Sequence, residues 1–213
     1  MRVCTCGIHT GVGKTSVSAA LCYAFMLDYF KIVQAGSGVY NGENIIEDKE
    51  VIASLSNARI FNNGITLKAP KSPHIAMKEE GILYSLTDIK MPASENLVIE
   101  SAGGILTPLD GKSCMLDFVL LHNLPVILVS SNYLGAINHT LLSLEILKVK
   151  KINVLFGIFS GGVDINFSSF IESYSGVKFF NFKHYSSKDE FIKNADLLRE
   201  ELQNSEFKNC FKL

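Results

Sequence analysis

The sequence predicts an α/β fold: a mostly parallel sheet with helices on both faces, stacked as three layers. Three observations point there. Apolar strand-like runs alternate along the chain with segments whose apolar residues recur at three- and four-residue spacing. The composition is 47% hydrophobic and 19% charged, as expected when strands are buried on both faces and read as continuous apolar runs. A glycine-rich loop follows the first of those runs and opens directly into a helical segment. At 213 residues, one domain spanning residues 1–213 can bury a sizeable core.

The elements follow in order. Arg2 to Cys6 is a short apolar strand, and Thr15 to Leu27 is the helix behind its loop. Tyr29 to Gln34 reads as the second strand, and Glu47 to Ser56 as a helix whose acidic start suits the positive end of the helix dipole. Ala58 to Ala93 has no periodicity and reads as surface elaboration. Asn96 to Ser101, Pro125 to Ser130, Asn153 to Ser160 and Val177 to Phe182 are further strands. Ser113 to His122, Gly135 to Val149, Asn166 to Ser175 and Ser187 to Gln203 are the helices beside them. Strand alternating with helix predicts βαβ units. No internal repeat and no Gly/Ser- or Pro-rich linker divides the chain.

Composition excludes several function classes. Lys and Arg total 20 against 21 Asp and Glu, a net charge of −1, so no basic excess exists to neutralise a nucleic-acid backbone. The most apolar region, Leu116 to Ile137, is interrupted by Asp117, His122, Asn123, Pro125 and Asn132, so no membrane span is expected there. Cys4, Cys6, Cys22, Cys114 and Cys210 show neither zinc spacing nor a disulfide framework. They read as small thiols in a reducing compartment. Met1-Arg2-Val3-Cys4 enters the first strand without a signal-like segment, and a cytoplasmic protein is expected.

In such sheets ligands bind beyond the carboxyl ends of the strands. The first such loop is Gly7-Ile8-His9-Thr10-Gly11-Val12-Gly13-Lys14-Thr15. Small residues let successive backbone N–H groups converge on a polyphosphate, and the new helix presents its positive end. Lys14 can reach the β and γ phosphates, and Thr15 can place its hydroxyl on Mg²⁺. The segment reads as the phosphate loop of a P-loop NTPase, although Ile8 occupies the place of the first glycine in the strict G-x-x-x-x-G-K-[ST] spacing.

Lys31 lies near the end of the second strand, where a charge is costly unless it faces a site. Taken alone, it reads first as a strand-edge lysine that snorkels to water. A carboxylate within Glu47-Asp48-Lys49-Glu50 could hold Mg²⁺, but by itself the segment reads as acidic residues that favour the helix start. Glu100 closes a buried strand and is followed by Ser101-Ala102-Gly103-Gly104, where a metal and a phosphate can approach without side-chain obstruction. Ser72-Pro73-His74 has the cap and first-turn residues of a helix, which leaves His74 unexplained. Tyr133 to His139 forms a turn and helix start whose exposed N–H groups suit an anion.

In this order the segments resemble the dethiobiotin synthetase family, ATP-dependent enzymes that close the ureido ring in biotin biosynthesis. The loop is similar to that family's G-T-D-T-x-V-G-K-T, and Lys31-Ile32-Val33-Gln34-Ala35-Gly36 to its K-P-x-Q-[ST]-G. Ser72-Pro73-His74 matches S-P-H, Glu100 to Gly104 matches E-G-A-G-G, and Leu134 to His139 matches L-G-x-I-N-H. The motifs run from the first strand to about Val163.

The resemblance implies that Thr10, Gly11, Val12, Gly13, Lys14, Thr15 and Ser16 hold ATP, and that Thr15, Asp48 and Glu100 hold Mg²⁺. It implies that Lys14 and Lys31 are the catalytic cations. Lys31, Ala35, Glu100 and the turn Leu134, Gly135, Ala136, Ile137 and Asn138 would contact 7,8-diaminononanoate, the turn acting across a homodimer interface. CO₂ is the other substrate. Several positions depart from the pattern: Ala35 replaces a hydroxyl residue, Ile32 a proline, Gly11 an acidic residue and Ser101 a glycine. Gly161 stands where relatives carry the Asn that reads adenine, so no side chain is expected to select the base there. The alternative reading is a partition-type or regulatory P-loop ATPase switch. His9 stands where that group carries its signature lysine, and an imidazole is not reliably charged at neutral pH.

Overall fold

The computed structural model describes residues 1–162 and 165–211. Residue 163, where the motif resemblance ends, lies outside them. In chain order the first half contains β1 (Arg2–Gly7), α1 (Lys14–Phe25), β2 (Asp28–Lys31), β3 (Val33–Ala35), β4 (Gly38–Tyr40), β5 (Glu43–Ile45), α2 (Asp48–Leu55), β6 (Ile65–Leu67) and α3 (Pro73–Glu80). The second half contains β7 (Leu97–Gly104), α4 (Met115–Leu121), β8 (Val126–Ser131), α5 (Ala136–Val149), β9 (Val154–Ser160), α6 (Ile165–Ser175), β10 (Phe179–Phe182) and α7 (Lys188–Gln203).

The main sheet has the order β10-β9-β8-β1-β7-β2, with every pairing parallel. Consecutive residues of β1, β7 and β8 are buried regardless of which face they point to. Helices therefore cover both faces, and the α/β expectation holds. One helical group is α1 packed against α2 and α7, and another is α5 against α6. Helix α1 is buried around most of its circumference, and the one hydroxyl this carries into the core, on Ser18, is satisfied by Thr5 Oγ1 at 2.8 Å.

Two expectations are corrected. The strand read as Tyr29 to Gln34 is broken. β2 ends at Lys31, and β3 leaves the main sheet to pair with β6 in a separate two-stranded sheet. Ile32 is the pivot: its N–H still bonds to Glu100 O, while its carbonyl already accepts from Ile65 N. The stretch from Ala58 to Ala93 is more than surface elaboration. It supplies β6 and α3 and buries Leu67, Ala69, Ala76 and Ile89. Its strand, Ile65-Thr66-Leu67, is too short to show a period, so only the pairing with β3 defines it. The antiparallel β4–β5 hairpin is also new.

Helix α3 begins with Ser72 at the cap and Pro73 in the first turn, as expected. Ser72 makes no side-chain cap, however; its hydroxyl lies 3.0 Å from His74 Nδ1. The buried thiols of Cys4 and Cys6 share one strand face, with sulfurs 3.5 Å apart in a hydrogen bond and not in a disulfide.

Candidate active site

The carboxyl ends of β1, β2, β3 and β7 open onto a cavity of about 620 Å³. Thr10, Gly11, Gly13, Lys14 and Thr15 form its floor; Lys31, Ala35, Asp48 and Glu100 form one wall. Pro70, Lys71, Ser72 and Pro73 close another side, so the segment without periodicity helps to build the site.

The loop geometry depends on glycine. Gly13 has φ +97°, and a Cβ there would lie 2.1 Å from Ser160 Oγ at the end of β9. Such a backbone turns the Lys14 side chain back under the loop, where Nζ donates to His9 O at 3.2 Å. Burial, followed by the charge of Lys31, lowers the Lys14 pKa to about 8. An anion in the cavity reverses that penalty by supplying the missing counter-charge.

Beside it lies a compact ionic cluster. Lys31 Nζ is 2.6 Å from Asp48 Oδ2 and 2.7 Å from Glu100 Oε1. Thr15 Oγ1 lies 2.8 Å from Asp48 Oδ1 and 3.0 Å from Glu100 Oε1, so its single proton serves one carboxylate at a time. Lys31 and Glu100 are buried, Asp48 partly so. Burial opposes the charge on Lys31, but Glu100 and Asp48 outweigh it and hold the lysine pKa above its usual value. Burial likewise opposes ionisation of Asp48, and Lys31 with Thr15 outweighs it, so the carboxyl pKa is lowered. The lysine therefore faces a site rather than snorkelling.

Among the acidic residues at the start of α2, the structure singles out Asp48. Glu47 caps the helix in a reciprocal box with Glu50 and pairs with Lys49 at 2.9 Å. Gln34 Oε1 accepts from Asp48 N at 3.2 Å, which anchors that helix start to β3. Gln34 lies within the quoted Lys31-to-Gly36 motif, yet only the fold reveals this contact.

Two carboxylates and one hydroxyl form an all-oxygen donor set. That fits Mg²⁺, which takes one or two carboxylates and fills its remaining positions with water and substrate phosphate. Among the described residues no group of three or more His, Cys, Asp or Glu forms a denser metal cluster.

Other expected site residues do not line the cavity. Val12 is buried beneath the loop, and Ser16 Oγ lies 3.0 Å from the Tyr185 hydroxyl. Leu134 to Asn138 do not line this cavity in the isolated chain. Gly135 caps α5 with φ +98°, Ala136 is buried, Ile137 is half-buried, and Leu134 and Asn138 are exposed. Tyr29, absent from the sequence reading of the site, donates from its hydroxyl to Glu100 Oε2 at 3.0 Å. Its position two residues before Lys31 was the available signal, because period two places both side chains on one strand face.

Fold and loop together define a P-loop nucleotide-binding protein, and a family model described as an AAA domain matches residues 2–181. An ATP-dependent dethiobiotin synthetase of Campylobacter jejuni is 42% identical over 204 residues, covering 95% of this chain and 96% of that protein. The enzyme of the same name from Lawsonia intracellularis is 43% identical over 155 residues, 73% of each chain. The chain belongs to the dethiobiotin synthetase family. The likeness reaches well past residue 163, further than the motifs alone.

Solved structures share the fold at much lower identity. A ParA family ATPase from Chlorobium tepidum gives a TM-score of 0.53 at 13% identity, covering 97% of this chain and 95% of that one. The septum site-determining protein MinD from Pyrococcus horikoshii, complexed with Mg-ADP, gives 0.52 at 12%, covering 100% and 99%. The partition-type alternative thus shares this architecture, while sequence identity places the chain with the synthetases.

Proposed function

We propose that this protein converts 7,8-diaminononanoate, CO₂ and ATP into dethiobiotin, ADP and phosphate, with the cavity at the phosphate loop as its active site. The observation that carries the reading is the convergence of Lys31, Asp48, Glu100 and Thr15 beside Lys14 at the mouth of that loop. One amine of the diamine takes up CO₂ as a carbamate, whose oxygen attacks the γ-phosphate. The second amine attacks the carbonyl of the resulting mixed anhydride and expels phosphate. Negative charge gathers on carbamate and phosphate oxygens together, and pre-placed cations stabilise it.

In this mechanism Lys14 holds the β and γ phosphates. Lys31, kept cationic by its carboxylate neighbours, exchanges part of that contact for the carbamate and the transferring phosphoryl group. Thr15, Asp48 and Glu100 hold Mg²⁺, which when bound supplies further charge neutralisation at the phosphates. No protein nucleophile is required. Thr10, Gly11, Val12, Gly13 and Ser16 complete the nucleotide site. Ala35 and Glu100 border the diamine. The Leu134 to Asn138 turn, exposed and apolar at Leu134, receives the substrate carboxylate from the opposite protomer of a homodimer. No helix among the described residues is long and apolar enough to cross a membrane, and the proposed substrates assign the enzyme to the cytoplasm.

The reading is tested with labelled bicarbonate. Purified protein with Mg²⁺ and ATP is expected to release phosphate and form an acid-stable labelled product only when the diamine is present. Diamine-independent hydrolysis with no label incorporated would overturn the reading and favour an ATPase switch.

A further inference from the structure

Glu100 is fully buried, and its two oxygens have different surroundings. Oε1 accepts from Lys31 at 2.7 Å and lies 3.0 Å from Thr15 Oγ1, whose one proton it shares with Asp48, on the side of the cavity. Oε2 accepts from the Tyr29 phenol at 3.0 Å, on the side of the core. The β2–β7 register places Lys31 opposite Glu100 and Tyr29 opposite Val98, one strand period further from the site. Tyr29 is itself fixed: its ring is fully buried, its N–H donates to Arg59 O at 2.9 Å, and its carbonyl accepts from Phe61 N at 2.9 Å.

A buried tyrosine hydroxyl needs some partner, and a satisfied phenol alone would be unremarkable. The partner here is a group whose orientation matters. The terminal torsion of a glutamate is broad and weakly restrained by its own rotamers. A carboxylate with donors on one oxygen only can rotate until both oxygens share Lys31.

We propose that Tyr29 is a positioning residue: its hydroxyl locks the rotation of the Glu100 carboxylate so that Oε1 alone is presented to Thr15, Lys31 and the divalent cation. This rests on the reading of Glu100 as a metal ligand. Outer hydrogen bonds of this kind orient ligating groups, and their loss typically weakens metal affinity by about 10- to 100-fold.

Tyr29→Phe retains the ring and removes only the donor. Mn²⁺ binding in the presence of a non-hydrolysable ATP analogue, followed by the electron paramagnetic resonance signal of free Mn²⁺, is expected to weaken by about tenfold. The half-saturating Mg²⁺ for turnover should rise in step, with kcat recovered at high Mg²⁺. A lower melting temperature with Mn²⁺ affinity equal to that of the unsubstituted protein would reduce Tyr29 to packing and overturn the proposal. Glu100→Gln separates the two layers. If it weakens Mn²⁺ binding while Tyr29→Phe does not, only the positioning role fails; if it leaves Mn²⁺ binding intact, the ligand reading fails and the positioning role with it.

Discussion

On one side of β1, strands β7 and β2 carry Glu100, Tyr29 and Lys31 into the core; on the other, beyond β8, β9 and β10 fill it with Phe156, Phe159, Phe179, Phe180 and Phe182. Both regions are buried, yet they are held together differently. In the aromatic region, Phe159 stacks on Phe179 with ring centroids 4.5 Å apart, and Phe156 meets Phe180 edge-on at 5.3 Å and Phe207 at 5.1 Å. Those contacts combine area burial with favourable ring geometry and demand no polar partner. In the ionic region each charge is tolerated because an opposite charge or donor lies within hydrogen-bond reach. The difference separates the work of the two halves. One supplies cohesion, while the other keeps charges ready at the strand ends, where a cavity lets ligands exchange for their present partners. The halves meet at Gly13, packed against Ser160.

The aromatic half is broken most directly by Phe156→Ala, which removes a fully buried ring. A loss of about 3–5 kcal/mol is expected, measured by chemical denaturation, with diamine KM unaltered in the folded fraction. A loss under about 1 kcal/mol would show that the rings are not what holds this half together. In the ionic half, Lys31→Ala should lower labelled-bicarbonate incorporation by about 10² or more, because it removes a donor to developing charge. A reduction of less than about threefold would return Lys31 to a purely structural partner of Glu100. The smallest effect concerns the seam at the end of β9. Gly161 offers no side chain to a base, so ATP and GTP should support turnover within about threefold of each other, since no side-chain hydrogen bond is there to discriminate. A large ATP preference in kcat/KM would show that backbone groups or another residue reads the base.

Much of this was legible in the chain. The parallel sheet follows from apolar runs alternating with helical periods, and the phosphate loop from glycine, lysine and threonine placed between a strand and a helix. Glu100 stood out because a carboxylate at the end of an apolar strand is rare without a purpose, whereas Lys31, by itself a snorkelling strand-edge lysine, took its site role only from the family resemblance. The break after Lys31 was not legible, because Ile32 and Val33 continue an apolar run that would suit one strand equally well. Nor could spacing choose among Glu47, Asp48 and Glu50. All three suit a helix start, and only the anchoring of α2 by Gln34 turns Asp48 toward Lys31 while Glu47 and Glu50 cap each other.

Local chemistry in the sequence therefore determined the class of fold, the nucleotide loop and the identity of the charged residues, since each depends on neighbours a few positions apart. The tertiary structure alone decided which oxygen of Glu100 faces Lys31 and that residues 70–73 wall the cavity, and it brings Asp48, the carboxylate the family resemblance named, against Lys31. Those features arise between segments tens of residues apart, where strand register and helix docking set distances that no periodicity encodes.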